Sequence, residues 1–152
     1  MSAEFRVLAV TSTAFHPNEF IPKKYTCEGE DINPPLDVGG FPQETKSLAI
    51  IIDDPDAPRG MWVHWVLWNI PITHHIDEKS IPGLQGWNDF GRNNYGGPCP
   101  PSGTHRYFFK VYALDATLEL PANTTKQQLE QAMIGHILAF GELIGLYKRA
   151  GR

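Results

Sequence analysis

The sequence has little basic charge to spare. Its 152 residues hold 13 Lys and Arg against 17 Asp and Glu, a formal net charge of -4. A nucleic-acid partner is therefore not expected, because binding a phosphate backbone needs a cationic surplus. Long apolar runs are also lacking. The longest aliphatic stretch, Leu48–Ile52, is far too short to span a bilayer. The N-terminal apolar stretch is interrupted by Glu4 and Arg6, so it does not read as a signal peptide, and a cytoplasmic location is expected. Cysteine is scarce: Cys27 and Cys99 lie far apart and form no metal-ligand spacing, and no His-x-His or His-x-x-x-His pair occurs. No metal or other cofactor is expected. A disulfide stays open, with a reduced pair the expectation for a cytosolic chain. No Gly-x-Ser-x-Gly elbow is present, which argues against a serine nucleophile.

Glycine and proline are abundant instead, 14 and 13 residues. That excess predicts many turns and irregular loops. With 41% hydrophobic residues the chain can bury one core, so a single domain over residues 1–152 is expected. Phe5–Thr11, Ser47–Asp53, Trp62–Ile70 and His105–Leu114 read as strands, the second as a buried central one. Pro17–Gln43 is turn-rich, with short strands between the turns. Ile81–Gly103 reads as a long loop, and loops of that length are usually functional.

Towards the C-terminus the period changes. Leu129, Met133, His136, Ile137, Phe140, Ile144 and Tyr147 follow helical spacing, with Thr124 or Thr125 as N-cap. Ile134, Leu138, Leu143 and Leu146 make the opposite side apolar too, so this helix should be covered on both sides. A second copy of the chain is the simplest cover, and a homodimer is expected. Strands followed by one helix suggest a mainly β fold, most simply a two-sheet sandwich with a C-terminal helix.

Side chains alternate along a strand, so parity assigns faces. Leu48, Ile50 and Ile52 continue onto Asp54; His64 shares a face with Trp62, Val66 and Trp68; His105 and Tyr107 share one with Phe109, Val111 and Ala113. If the strand ends meet, Asp54, His64, His105 and Tyr107 line one aromatic-walled pocket. Such a make-up, mostly apolar with a few convergent polar groups, suits a small molecule.

Four motifs occur in order: Asp54-Pro55-Asp56-Ala57-Pro58, Trp62-Val63-His64-Trp65, Gly97-Pro98-Cys99-Pro100-Pro101 and Gly103-Thr104-His105-Arg106-Tyr107. Together they resemble the phosphatidylethanolamine-binding protein family, in its bacterial and archaeal Raf-kinase-inhibitor-like branch. The resemblance implies a β-sandwich with Greek-key connections and a small pocket for phosphate-type head groups. It implies that Asp54, Trp62, His64, His105 and Tyr107 form the pocket with Asp56 beside it. Cys99 would offer its backbone N–H to the anion, next to Pro100. Eukaryotic members carry an extra pocket aromatic in the interval that Arg59, Gly60 and Met61 fill here, and Gly where this chain has Cys99.

The leading expectation is a non-catalytic binding protein for a small anionic or zwitterionic ligand such as phosphate or a phosphoethanolamine-like molecule. As in relatives, a kinase or protease partner is a possible target of modulation. The alternative is an enzyme using Asp/His acid–base chemistry or a metal in the same pocket. A carboxylate beside the histidines would favour their charged form, and the imidazolium N–H groups would donate to the anion.

Overall fold

The computed structural model describes residues 6–151. In chain order the elements are β1 (Arg6–Val7), β2 (Ala9–Thr11), a 3-10 turn at Lys23–Tyr25, β3 (Leu36–Gly39), β4 (Ser47–Asp54), β5 (Trp62–Ile70), β6 (His75–Ile76), β7 (Leu84–Gln85), β8 (His105–Leu114), α1 (Lys126–Met133) and β9 (Ile137–Tyr147). A six-stranded sheet has the order β1-β9-β8-β4-β5-β7, and a three-stranded sheet the order β2-β3-β6. β4 is buried along its whole length and runs antiparallel to both β5 and β8, which explains its unbroken apolar run.

The large sheet buries both faces. On one, Leu48, Ile50 and Ile52 join Trp65, Leu67, Tyr107, Phe109 and Val111 and pack against Leu8, Leu36 and Val38. On the other, Ala49, Ile51, Val66 and Trp68 are covered by Leu118 and by Leu129 and Met133 of α1. The N-terminal strand expected over Phe5–Thr11 is split at Leu8 into β1 and β2, which belong to different sheets; Phe5 lies outside the described residues.

The C-terminal segment departs most from expectation. Thr125 caps α1 through a capping box with Gln128, but the helix ends at Met133. Gly135 follows with φ +83°, and the chain then enters β9 instead of continuing as a helix. Apart from Glu142, residues 137–147 are apolar or glycine at both parities, so helical spacing fits them as well as strand spacing. Pairing with β8 along the full length of β9 decides for the strand. Gly141 and Gly145 are closely overlain: a Cβ on Gly141 would collide with the Leu8 carbonyl, and one on Gly145 would lie 2.6 to 2.7 Å from Ile21 and Phe15 side-chain atoms. With these residues in a strand paired to β8, there is no two-sided apolar helix left for a second copy of the chain to cover. Ala139, Leu143 and Tyr147 are buried in the inter-sheet core.

The small sheet carries a pH-sensitive link. His75 on β6 donates from Nδ1 to Asp37 of β3 at 2.7 Å, and its Nε2 lies 3.1 Å from Asp77. The Asp37 hydrogen bond raises its pKa above the ordinary 6.5, against an opposing effect of burial and with further help from the charges of Asp37 and Asp77. A raised histidine pKa adds stability in full below the unfolded value and loses it as pH rises through the folded one. His75→Gln should therefore lower the unfolding midpoint more at about pH 5 than at about pH 9, either side of the ordinary histidine range. A deficit independent of pH would show that the imidazolium form contributes nothing.

Candidate functional site

Because β4 is antiparallel to its two neighbours, its C-terminal end lies beside the starts of β5 and β8. That juxtaposition brings Asp54, Trp62, His64, His105 and Tyr107 together, and Asp54 is in direct register with Trp62. Parity from Trp62 places His64 on this face, and it fails only beyond His64. Ile52 pairs with Trp65 and Asp53 with Val63, so His64 is the extra residue of a β-bulge. The bulge brings Trp65 and Leu67 to the same inner side as His64. Val66 and Trp68, expected beside His64, face α1 instead.

These side chains, with Phe90, Cys99 and Pro100, line a cavity of about 240 Å³. Asp54 and both histidines are buried. Asp54 accepts the Asp56 N–H on Oδ1 at 2.7 Å and the His105 Nδ1–H on Oδ2 at 2.7 Å. His64 donates from Nδ1 to the Gly96 carbonyl at 2.6 Å, and Gly96 N–H returns a bond to the His64 carbonyl at 3.1 Å. Burial lowers the His64 pKa below its ordinary value, against the opposing pull of the Gly96 carbonyl and Asp54. The expectation that carboxylates keep this imidazole charged thus fails for His64: desolvation outweighs them.

The Tyr107 hydroxyl is buried and makes no hydrogen bond of ordinary geometry among the described residues, although Asp54 and the Cys99 backbone lie near enough to act on its pKa. Burial, then the charge of Asp54, pushes its pKa well above 10.0, so it stays a donor. The walls are aromatic. Phe90 meets Trp62 at 5.5 Å and His64 at 5.3 Å, both edge-on, and His64 meets Tyr107 edge-on at 5.2 Å. Phe90 was not singled out in the sequence; only its place in the long loop pointed to it. It supplies an aromatic wall although the Arg59–Met61 interval carries none.

Asp56 does not line the cavity. Arg106 holds it with Nε to Oδ2 and Nη2 to Oδ1, both at 2.9 Å, and adds its backbone N–H at 2.9 Å. Arg106 brings the Asp56 pKa down to about 2. This bidentate clamp ties the β4–β5 turn to the start of β8 and so fixes the pocket mouth.

Cys27 and Cys99 form a disulfide, with Cα atoms 5.4 Å apart. The expectation of a reduced pair is thereby overturned: residues 72 apart in sequence are neighbours in the fold. Cys99 lines the cavity, so the bond anchors its wall. Among the described residues no three or more His, Cys, Asp or Glu side chains are grouped to hold a metal ion. No helix there is long and apolar enough to cross a membrane.

Residues 11–148 match the family model described as phosphatidylethanolamine-binding protein. The chain belongs to the phosphatidylethanolamine-binding protein family. It is 54% identical over 149 residues to a UPF0098 protein of Pyrococcus abyssi, covering 91% of this chain and 84% of the relative. A UPF0098 protein of Methanothermobacter thermautotrophicus is 50% identical over 144 residues, covering 90% and 95%. The crystal structure of a phosphatidylethanolamine-binding protein homologue from Chlamydia trachomatis superposes with a TM-score of 0.91 at 42% identity, covering 95% of this chain and 99% of that one. Escherichia coli YbcL, described as a member of the mammalian family, gives 0.86 at 30% identity, with 93% and 98% covered. In this phosphatidylethanolamine-binding protein family member, all the motif residues expected at the pocket line the cavity except Asp56, which stands beside it.

Proposed function

We propose that the protein is a non-catalytic binding module whose pocket takes a small phosphate-type anion, phosphate itself or a phosphoethanolamine-like molecule. The observation that carries this reading is the Tyr107 hydroxyl: a buried donor without a partner, among imidazole rings held rigidly by Gly96 and Asp54. An anion oxygen satisfies that donor, and a buried polar group left unpaired is costly. The family name of the matching model and of the structural neighbours supports the same ligand chemistry. Asp54 supplies a negative charge for a ligand amine. A binding role is favoured over catalysis because no Ser, Thr or Lys lines the cavity and its one sulfur is held in the disulfide.

Calorimetric titration of phosphate and phosphoethanolamine into the wild type and two variants tests this. Tyr107→Phe removes only the donor and should weaken binding about tenfold or more, given ~1.5–3 kcal/mol for a hydrogen bond to a charged group. His64→Ala should abolish binding with the circular dichroism spectrum retained. Equal affinity in all three proteins would reject the pocket as the binding site.

A further inference from the structure

From Trp62 to Trp65, β5 has β4 on one side and no strand on the other, because β7 reaches only Leu67 and Trp68. Backbone groups along such an edge need other partners. Residues 88–96 of the long loop supply them. Asp89 N–H donates to the Val63 carbonyl at 2.9 Å, and Asp89 Oδ2 accepts the Val63 N–H at 2.7 Å. Gly96 N–H meets the His64 carbonyl, and the Gly96 carbonyl accepts from the His64 ring. One side chain closes this segment on itself. Asn88 is buried, and its amide uses both of its protons and both of its lone pairs. Oδ1 accepts the Phe90 and Arg92 N–H groups, each at 3.0 Å. Nδ2 donates to the Asn94 carbonyl at 2.7 Å and to the His64 carbonyl at 3.3 Å. Asn88 thus joins the turn that carries Phe90 to the backbone of His64. Phe90 stands edge-on to the His64 ring at 5.3 Å and covers Gly96, where a Cβ would lie 2.4 Å from the Phe90 ring.

We propose that Asn88 is a positioning residue of the pocket. It lies outside the cavity lining and acts through His64 and Phe90, whose rings it keeps in their binding arrangement before a ligand arrives. This rests on the anion-binding reading and goes beyond it, because it assigns affinity to a residue that is not part of the cavity wall.

The physical reason is preorganisation. A segment that contains Gly91, Asn93, Asn94 and Gly96 has many backbone conformations open to it. Gly91 adopts φ +75° in the turn that brings the Arg92 N–H back to Asn88. Without the Asn88 amide, the segment has to be ordered when a ligand binds, and that ordering subtracts from affinity. A residue with only a structural role behaves differently: its loss lowers stability and leaves the affinity of the folded protein unchanged.

Calorimetric titration with inorganic phosphate compares the wild type with Asn88→Ala and Asn33→Ala, well below the unfolding temperature of each. Asn33 is the control: it too is a buried asparagine that ties loop backbone, through the Ser80 N–H and the Asp77 carbonyl, and it does not line the anion cavity. Asn88→Ala should bind phosphate about tenfold more weakly, the cost of ordering two side chains on binding. Asn33→Ala should lose stability and keep the wild-type affinity. In ligand-free Asn88→Ala, nuclear Overhauser contacts between the Phe90 and His64 rings should disappear, and the His64 Nδ1 proton should exchange faster with water. Asn88→Asp keeps an acceptor for Phe90 and Arg92 but sets a carboxylate against two carbonyls; it is read in the same way if the alanine variant does not fold. Unchanged affinity or unchanged ring contacts in a folded Asn88 variant would overturn the proposal, and so would an equal loss of affinity in Asn33→Ala. Failure of the wild type to bind phosphate would overturn the anion-binding reading instead, and the ring contacts of the ligand-free variant would still decide whether Asn88 positions His64 and Phe90.

Discussion

Removing the Cys27–Cys99 bond should cost about 4 kcal/mol of folding stability. The bond closes a loop of 72 residues, and the loop-closure entropy removed from the unfolded chain grows with the logarithm of loop length, from ~3 kcal/mol at 15 residues to ~4.7 at 100. For a chain of this size each kcal/mol is worth roughly 2–4 °C, so the Cys27→Ser/Cys99→Ser variant should melt roughly 10 °C below the oxidised wild type. The fold itself should survive. The segment that carries Cys99 is also held by Cys27 N–H to the Pro98 carbonyl at 3.1 Å, Gly97 N–H to Asp31 at 2.8 Å and Arg149 Nε to the Pro100 carbonyl at 2.7 Å. Because Cys99 is part of the cavity wall, ligand affinity should fall together with stability. Thermal unfolding of the two proteins measures the first effect; equal midpoints would mean that the two sulfurs are not bonded in solution.

The convergence of Asp54, His64, His105 and Tyr107 was legible because β4, β5 and β8 are long strands whose apolar rows end on polar residues. An antiparallel arrangement then has to bring those ends together. The details failed where local chemistry overrides a clean period. The bulge at His64 shifts the parity of β5, so Val66 and Trp68 lie on the face opposite to the one that simple alternation assigns. Apart from Glu142 and two glycines, residues 137–147 are apolar at both parities, so hydrophobic period alone does not separate a buried helix from a strand. Only the partner strand β8 makes the choice. Cys27 and Cys99 meet through tertiary structure alone, which no spacing rule reaches. Phe90 enters the pocket from an irregular loop, where side-chain direction has no period to read. The bidentate match of Asp56 and Arg106 was equally invisible: parity put Arg106 on the opposite face, and it is there that Asp56 turns to meet it.

Asp53, the neighbour of Asp54, points to the other face of the sheet and leads to the second large expected effect. Its carboxylate is fully buried, and Oδ2 accepts from Lys110 of β8 at 3.0 Å and from Lys126, the first residue of α1, at 2.8 Å. Oδ1 has no partner among the described residues. The two ammonium groups are thus what compensates this charge, and through Lys126 the cluster ties α1 to the sheet that carries the pocket. Replacing one lysine leaves the other in place. Replacing both strands a buried carboxylate, for which ~3–5 kcal/mol is the usual loss. Lys110→Met/Lys126→Met should therefore be destabilised by about that amount at neutral pH. Adding Asp53→Leu should recover most of the loss, because an apolar group of similar size needs no counter-charge. Urea unfolding of the wild type, the double variant and the triple variant at neutral pH separates these effects. A double variant that loses less than about 1 kcal/mol, the range of exposed pairs, would show that water already reaches Asp53 and that the lysines are not its compensation.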